Sequence, residues 1–352
     1  MNSPKLKIMV IAGGSGGHIF PAVGFCQELK EAQPEAEINF ISIAGKRAAE
    51  FIPLEYNPVF LRTGRNLVGF LRLILAAIIL VPSISPEIVV GFGGYLSVPF
   101  LIMAKILGKK TLFHEQNVVP GAANRFLSGV VDKIAVSFPG TEKYLKAHKN
   151  KIFLCRFPLR KSLKRIDRKE ALAHFDFQGD FFTLLIVGGS QGAHHLNESL
   201  TEALKTNKNL AGLQIIHVTG LADFSSVKES YRQMSAKTRV FAFLPEMDYA
   251  YSAADLVVSR AGASTIAEIM YFGLPSVLVP YPGAAGHQKE NAKVLVERGA
   301  SILLEEQKAT PAVINGLLDI FFDDSLRRKV MSSLAHALYE ESQNCSLKDL
   351  LS

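Results

Sequence analysis

A histidine closes a run of glycines near the start of the chain, Gly13-Gly14-Ser15-Gly16-Gly17-His18. The run follows the apolar segment Lys7 to Ala12 and precedes Ile19-Phe20-Pro21-Ala22, where a helix is expected to start. Glycines in such a turn let backbone N–H groups approach phosphate oxygens, and a helix N-terminus adds favourable partial charge. His18, at the end of the loop, is the candidate general base for a reaction that removes a proton from a hydroxyl. The spacing is not the dinucleotide G-x-G-x-x-G, and no Lys follows as in a P-loop, so both of those classes lose ground. A second loop, Gly188-Gly189-Ser190-Gln191-Gly192-Ala193, again follows an apolar run, and a third, Gly91-Phe92-Gly93-Gly94-Tyr95, lies between them. Two such loops at the heads of two similar domains suggest a cleft with phosphate-bearing ligands on both sides.

The segment Ser259-Arg260-Ala261-Gly262-Ala263-Ser264-Thr265-Ile266-Ala267-Glu268 places small residues between a strand and a helix, where backbone comes close to a ligand. A carboxylate such as Glu268 accepts two hydrogen bonds from a vicinal diol, as in ribose, and Arg260 is of a length to reach a phosphate. Metal-dependent sugar transfer commonly uses two aspartates separated by one residue, and no such pair is present. His114-Glu115 opens no H-E-x-x-H zinc motif, since the fifth position is Val118. The three cysteines, Cys26, Cys155 and Cys345, are far apart and odd in number, which fits neither a disulfide framework nor a zinc cluster and suggests a reducing compartment.

The elements that must position these residues are legible as short Val- and Ile-rich runs alternating with glycines and helix-like stretches. In the first half they are Lys7 to Ala12, Ile38 to Ile43, Ile88 to Val90, Thr111 to His114 and Lys133 to Val136. In the second half they are Phe182 to Val187, Gln214 to Thr219, Thr238 to Phe243, Leu256 to Ser259, Ser276 to Val279 and Ser301 to Leu304. That rhythm predicts an α/β chain of two doubly wound parallel-sheet domains, which its 352 residues are enough to build. The boundary is placed where Pro158 and a cluster of basic residues interrupt the pattern between Arg156 and Asp167, giving domains of 1–157 and 158–337. Ser325 to Leu351 reads as helix.

Net charge is +7, composed of +12 up to Arg165 and −5 beyond it. The basic half is expected to face something anionic, a membrane surface or a phosphorylated ligand. Nucleic acid is not expected, because the cations form no long run or aromatic-interleaved patch. The apolar run at the N-terminus is too short for a signal-peptide core, so secretion is not expected. Leu67 to Val81 is the most apolar segment, but it contains Arg72 and ends at Pro82, short of the roughly 20 residues that span a bilayer. It is either a buried crossover helix or a surface helix dipping into a lipid interface with Arg62, Arg65 and Arg72 near anionic headgroups.

Taken in order, GGSGGHIFPA from Gly13, Gly91 to Tyr95, His114-Glu115-Gln116-Asn117 with Pro120-Gly121, GGSQGA from Gly188, RAGASTIAE from Arg260 and His287-Gln288-Lys289-Glu290-Asn291 resemble the MurG family. These are membrane-associated N-acetylglucosaminyltransferases that complete the lipid-linked peptidoglycan precursor. The resemblance implies a GT-B fold of two Rossmann-like domains facing a cleft, with a C-terminal helix at about 338–352 returning to the first domain. It implies inverting transfer from UDP-N-acetylglucosamine to lipid I at the cytoplasmic face of the plasma membrane, with no cofactor or metal. Other cell-wall synthesis enzymes are implied as partners. Donor contacts would fall on Ser15, Gly16, Gly17, Asn117, Arg160, Ser190, Leu244, Ala263, Ser264, Thr265, Ile266, Ala267, Glu268 and Gln288. In that set Leu244 would serve uracil through its backbone, Glu268 ribose and Gln288 the sugar. Gly14, His18, Gly93, Gly94 and Tyr95 would form the loops at the acceptor pyrophosphate. The chain departs from the family at Arg156-Phe157, where Gly-Asn is usual, at His194, where Arg or Lys is common, and at Gly286, where an acidic residue is frequent. A UDP-N-acetylglucosamine 2-epimerase of the same architecture and a non-catalytic membrane scaffold are the alternatives.

Overall fold

The computed structural model describes residues 5–64, 66–146, 148–188, 193–283 and 286–351. The chain divides into two compact units, the first comprising Met1–Lys161 with Ser342–Ser352 and the second Ser162–Glu341. The crossings thus fall a few residues beyond the 157/158 and 337/338 expected from the sequence.

Unit 1 alternates β1 (Lys7–Ala12), α1 (Gly16–Ala32), β2 (Glu37–Ile43), α2 (Lys46–Phe51), β3 (Val59–Leu61), α3 (Leu67–Ile84) and β4 (Ile88–Gly91). It continues through α4 (Ser97–Ile106), β5 (Lys110–Glu115), α5 (Ala122–Leu127), β6 (Lys133–Val136) and β7 (Ile152–Leu154). The strands form one sheet in the order β3-β2-β1-β4-β5-β6-β7, every pairing parallel. Both faces are covered, which is why the strands read as unbroken apolar runs. Side chains alternate: Ile8, Val10 and Ala12 of β1 enter the core shared with α1, whereas Met9 and Ile11 enter the core shared with α3 and α4. β3 and β7, the two edge strands, were not expected from the sequence; each has three residues.

Unit 2 opens with α6 (Arg168–His174), β8 (Phe182–Val187), α7 (His194–Lys205), β9 (Leu213–Val218), α8 (Phe224–Arg232), β10 (Lys237–Phe241) and α9 (Met247–Ala253). It closes with β11 (Leu256–Ser259), α10 (Ala263–Phe272), β12 (Ser276–Leu278), α11 (His287–Val296), β13 (Ser301–Leu303), α12 (Pro311–Asp323) and α13 (Ser325–Glu341). Its sheet runs β10-β9-β8-β11-β12-β13, again parallel throughout.

Three local expectations need correction. The last helix does not reach Leu351: α13 ends at Glu341 within unit 2, and what returns to unit 1 is a pair of short 3-10 turns, Ser342–Asn344 and Leu347–Leu351. Leu347, Leu350 and Leu351 enter the core beside α1. Helix α1 starts at Gly16, earlier than Ile19, and carries Pro21 inside it; proline has no N–H to bond the carbonyl four residues back, at Gly17. Helix α3 likewise continues through Pro82 to Ile84. Its 18 residues are long and apolar enough to cross a membrane by length and composition, but it is the crossover between β3 and β4 and seats Leu73, Ala77 and Val81 in the core. Its outer face is exposed and apolar, with Leu67, Val68, Leu71, Leu75, Ile78 and Ile79 all open to solvent. The two sequence readings of this segment are therefore each half right about its burial.

Candidate active site

In unit 1 the chain builds outward from β1 to β2 and β3, then returns to β4 on the other side of β1. The carboxyl ends of β1 and β4 thus form a topological switch point, where open α/β sheets bind ligands. The first and third glycine loops leave the sheet there, and they meet around His18. A Cβ at Gly13 would lie 2.8 Å from His18 Nδ1, and one at Gly93 would lie 3.2 Å from His18 Nε2 and 3.4 Å from Asn124 Nδ2. Gly93 also has φ +84°, a left-handed conformation that disfavours any side chain. The ring is therefore held in a notch whose walls are backbone. Ser15 precedes α1 and makes no cap bond with its side chain; instead its Oγ lies 3.2 Å from His18 Nδ1. His18 is half-buried, and its surroundings push the imidazole down to about 4 by desolvation, so it is neutral at physiological pH. Gly14 and Gly17 are exposed, Gly16 is buried, and Gly94 and Tyr95 are half-buried beside the ring's loop.

The end of β5 adds a polar cluster. His114 is fully buried, with Nε2 2.7 Å from Ser137 Oγ and Nδ1 3.2 Å from Gln116 Nε2; burial pushes it down to about 3. Glu115, also buried, accepts from the backbone and side-chain nitrogens of Asn117 at 2.9 and 3.2 Å and from Asn124 Nδ2 at 2.7 Å. Desolvation raises its pKa despite these bonds. Asn124 Oδ1 is buried without a partner. The sequence reading chose Asn117 but missed the Glu115–Asn124 link, which joins β5 to α5 and has no periodic signal. Arg160 lies on the segment after β7, its guanidinium 4.0 Å above the ring of Phe20 from α1 and its Nε buried without a partner.

In unit 2 the switch point lies between β8 and β11. Of the loop after β8, Ser190 with Gly189, Gln191 and Gly192 lies outside the described residues. After β11, α10 begins at Ala263 with Gly262 as its N-cap and no side-chain cap bond. The hydroxyls of Ser259 and Ser264 are buried there without partners. Ala263 and Ala267 are nearly buried, Ile266 fully so, and Ser264 and Thr265 half-buried. Glu268 is buried at the sixth helical position and accepts a 2.7 Å bond from Tyr251 OH of α9, a partner with no signal in the local sequence. Gln288, on α11, accepts with Oε1 from the backbone N–H groups of Ala261 (3.2 Å) and Tyr281 (2.9 Å). Leu244 is buried in the turn between β10 and α9. Arg260 differs from expectation: it is buried, pairs with Glu306 and donates to Val279 O at 3.1 Å. Its charge is paired within unit 2, where it buttresses the loop.

The family model of the glycosyltransferase family 28 N-terminal domain matches residues 8–136, and that of the family 28 C-terminal domain matches residues 183–344. A curated relative from Thermodesulfovibrio yellowstonii is 34% identical over 346 residues, covering 94% of each chain; its name is UDP-N-acetylglucosamine–N-acetylmuramyl-(pentapeptide) pyrophosphoryl-undecaprenol N-acetylglucosamine transferase. The chain belongs to the MurG family. The solved MurG of Acinetobacter baumannii agrees, with a TM-score of 0.75 and 27% identity over 99% of both chains. A UDP-N-acetylglucosamine 2-epimerase from Listeria monocytogenes shares the fold alone, at a TM-score of 0.70 and 13% identity over 95% of this chain and 91% of that one.

The three positions at which the resemblance was expected to break each have a local setting. Arg156 places Nη2 3.2 Å from Glu28 Oε2, tying the segment after β7 to α1. His194, in the first turn of α7, sits 2.8 Å from Asp223 Oδ1, and that carboxylate raises its pKa. Gly286 is the residue before α11 and has φ +80°, a left-handed conformation that suits glycine. Among the described residues, no cluster of three or more His, Cys, Asp or Glu is placed to hold a metal ion.

Proposed function

We propose that the chain transfers N-acetylglucosamine from UDP-N-acetylglucosamine to the C4 hydroxyl of N-acetylmuramic acid in lipid I, forming lipid II with inversion and without a metal ion. The observation that carries this reading is the 34% identity across 94% of the chain to an enzyme of that name, with the matching motifs standing at the switch points of both sheets. Unit 2 holds the donor. Glu268 accepts from the ribose hydroxyls, the Leu244 backbone meets uracil and the Gln288 amide donates to the sugar. The α10 N-terminus, from Ala263 to Ala267, offers N–H groups and the unpartnered Ser264 hydroxyl to the diphosphate. Ser190 joins them, with Ser15, Gly16, Gly17, Asn117 and Arg160 of unit 1 as further donor contacts.

Unit 1 takes the acceptor through Gly14, His18, Gly93, Gly94 and Tyr95. A bond forms between the acceptor oxygen and C1 of the sugar as the C1–phosphate bond breaks, and the hydroxyl proton passes to His18. In the tautomer that carries the proton on Nδ1, facing Ser15 Oγ, Nε2 on the Gly93 side is the base. An imidazole at about 4 is a weak base alone; the anionic diphosphates of the bound substrates raise it toward the working range. The exposed face of α3 and the +12 charge of the chain up to Arg165 support peripheral binding to an anionic membrane, where the polyprenyl tail of the acceptor stays. Arg62 and Arg72 are exposed there, and Arg65 lies outside the described residues.

The test is incubation of the purified protein with labelled UDP-N-acetylglucosamine in excess chelator, with and without a lipid-linked muramyl-pentapeptide. Label should enter lipid only when acceptor is present. Conversion of the donor to its 2-epimer without acceptor would replace transfer by epimerisation, and absence of both reactions in a folded protein would favour a scaffold. Loss of transfer in chelator, restored by magnesium or manganese, would overturn the metal-free part.

A further inference from the structure

Two of the three cysteines, far apart in sequence, meet in space. Cys155 Sγ and Cys345 Sγ lie 2.7 Å from each other although 190 residues separate them, and both are free thiols. We propose that this pair is an oxidisable modification site whose disulfide staples the returning C-terminal segment to unit 1.

The two sulfurs are brought together by backbone on both sides. Cys155 continues from β7, with its N–H bonded to Val136 O at 2.9 Å, and the next residue, Arg156, donates its N–H to Cys345 O at 2.8 Å. On the other side Ser346 Oγ donates to Glu28 Oε2 at 2.8 Å, and the buried leucines 347, 350 and 351 anchor the turn that follows. Groups held in this way react at a high effective concentration. The pair is also asymmetric. Cys155 is fully buried and Cys345 partly exposed, so Cys345 is the thiol an oxidant meets, and Cys155 is the resolving partner behind it. Cys26 is buried in the same core; burial pushes up its thiol and that of Cys155 alike, so it is contact with Cys345 that sets Cys155 apart.

With hydrogen peroxide as oxidant, the Cys345 thiolate attacks one peroxide oxygen and the O–O bond breaks. Cys345 becomes a sulfenic acid, and the departing hydroxide takes up the proton that the Cys345 thiol had released, giving one water. The Cys155 sulfur then attacks the Cys345 sulfur, the S–O bond breaks, and hydroxide leaves with the Cys155 proton as a second water. Two thiols have given up two electrons to one peroxide. The product closes a loop that contains the whole of unit 2, whose span is Ser162–Glu341, and a thiol reductant reopens it.

The experiment treats the full-length protein with hydrogen peroxide, quenches it, and counts thiols after denaturation alongside a non-reducing peptide map. The expected count falls from three to one, with a Cys155–Cys345 peptide pair lighter by two hydrogens and separable by a thiol reductant. In Cys155→Ser, Cys345 should accumulate as a sulfenic acid that a dimedone probe traps; in Cys345→Ser, Cys155 should remain a thiol. The wild-type map needs no variant to fold. Three surviving thiols, a bridge that includes Cys26, or Cys345 over-oxidised without a bridge would each overturn the proposal.

Discussion

Glu268 is the residue on which the donor assignment can be tested most sharply. Its 2.7 Å bond from Tyr251 OH holds the carboxylate at the sixth position of α10 before any ligand arrives. Loss of a charge-assisted hydrogen bond costs about 1.5–3 kcal/mol, so Glu268→Ala should raise the KM for UDP-N-acetylglucosamine roughly tenfold or more. Tyr251→Phe, which removes only the orienting hydroxyl, should have a smaller effect of the same sign. Steady-state kinetics on both variants decide the matter, and wild-type donor KM in Glu268→Ala would refute the role. The buried histidines make a separate prediction about stability. His114 and His217 are both fully buried and pushed down to about 3 by desolvation, against an unfolded value near 6.5. Between those values the unfolded chain binds protons that the native chain refuses, so stability must fall as pH is lowered from about 6.5 toward 3. Urea midpoints measured from about pH 7 to about pH 4.5 should drop, and His217→Gln should show a shallower slope from a lower starting value. An unchanged slope in that variant would mean that the native protein protonates His217.

At the scale of elements, the proposed function would use the glycine loops and α3 by opposite means, close approach in one case and open surface in the other. Gly93→Ala places a methyl 3.2 Å from His18 Nε2 and asks an L-residue to hold φ +84°, a conformation that costs about 1–2 kcal/mol. It should cut kcat far more than donor KM, as measured in the lipid-acceptor assay. For α3, Leu75→Ser with Ile79→Ser removes two exposed apolar side chains, 57% and 56% exposed, while leaving the buried Leu73, Ala77 and Val81 in place. Binding to anionic vesicles should weaken with little change in thermal stability; equal cosedimentation of variant and wild type would sink the docking role. These elements differ in how legible they were. The inner strands announced themselves as apolar runs, because sheets covered on both faces need no polar alternation. β3 and β7, each three residues at a sheet edge, did not, whereas β13, of the same length and also at an edge, did. The outer face of α3 was not legible either: a helix apolar all round shows no stripe, and only packing tells which side is covered.

The whole molecule is organised by two crossings of the chain, after Lys161 and after Glu341. The doubly wound class and the two-unit division could be read from the order of strands and the proline-interrupted basic segment. The contacts that tie Cys155 to Cys345, Glu115 to Asn124 and Tyr251 to Glu268 could not, because they join elements with no shared period or motif. The return of Leu347, Leu350 and Leu351 to the core beside α1 makes a further prediction. Each buried leucine contributes about 1.5–3 kcal/mol, so truncation after Glu341 should lower the unfolding midpoint of unit 1 while leaving unit 2 intact, with hydrogen exchange reporting loss of protection in α1 and β1. Uniform loss across both units would show that they unfold together. Seen from the ribosome, the same arrangement sets an order of assembly. Unit 2 is complete in sequence once Glu341 has been made, whereas unit 1, whose strands come earlier in the chain, lacks three of its core side chains until Leu347, Leu350 and Leu351 have left the exit tunnel. The first half of the protein to be born is therefore the second to be finished.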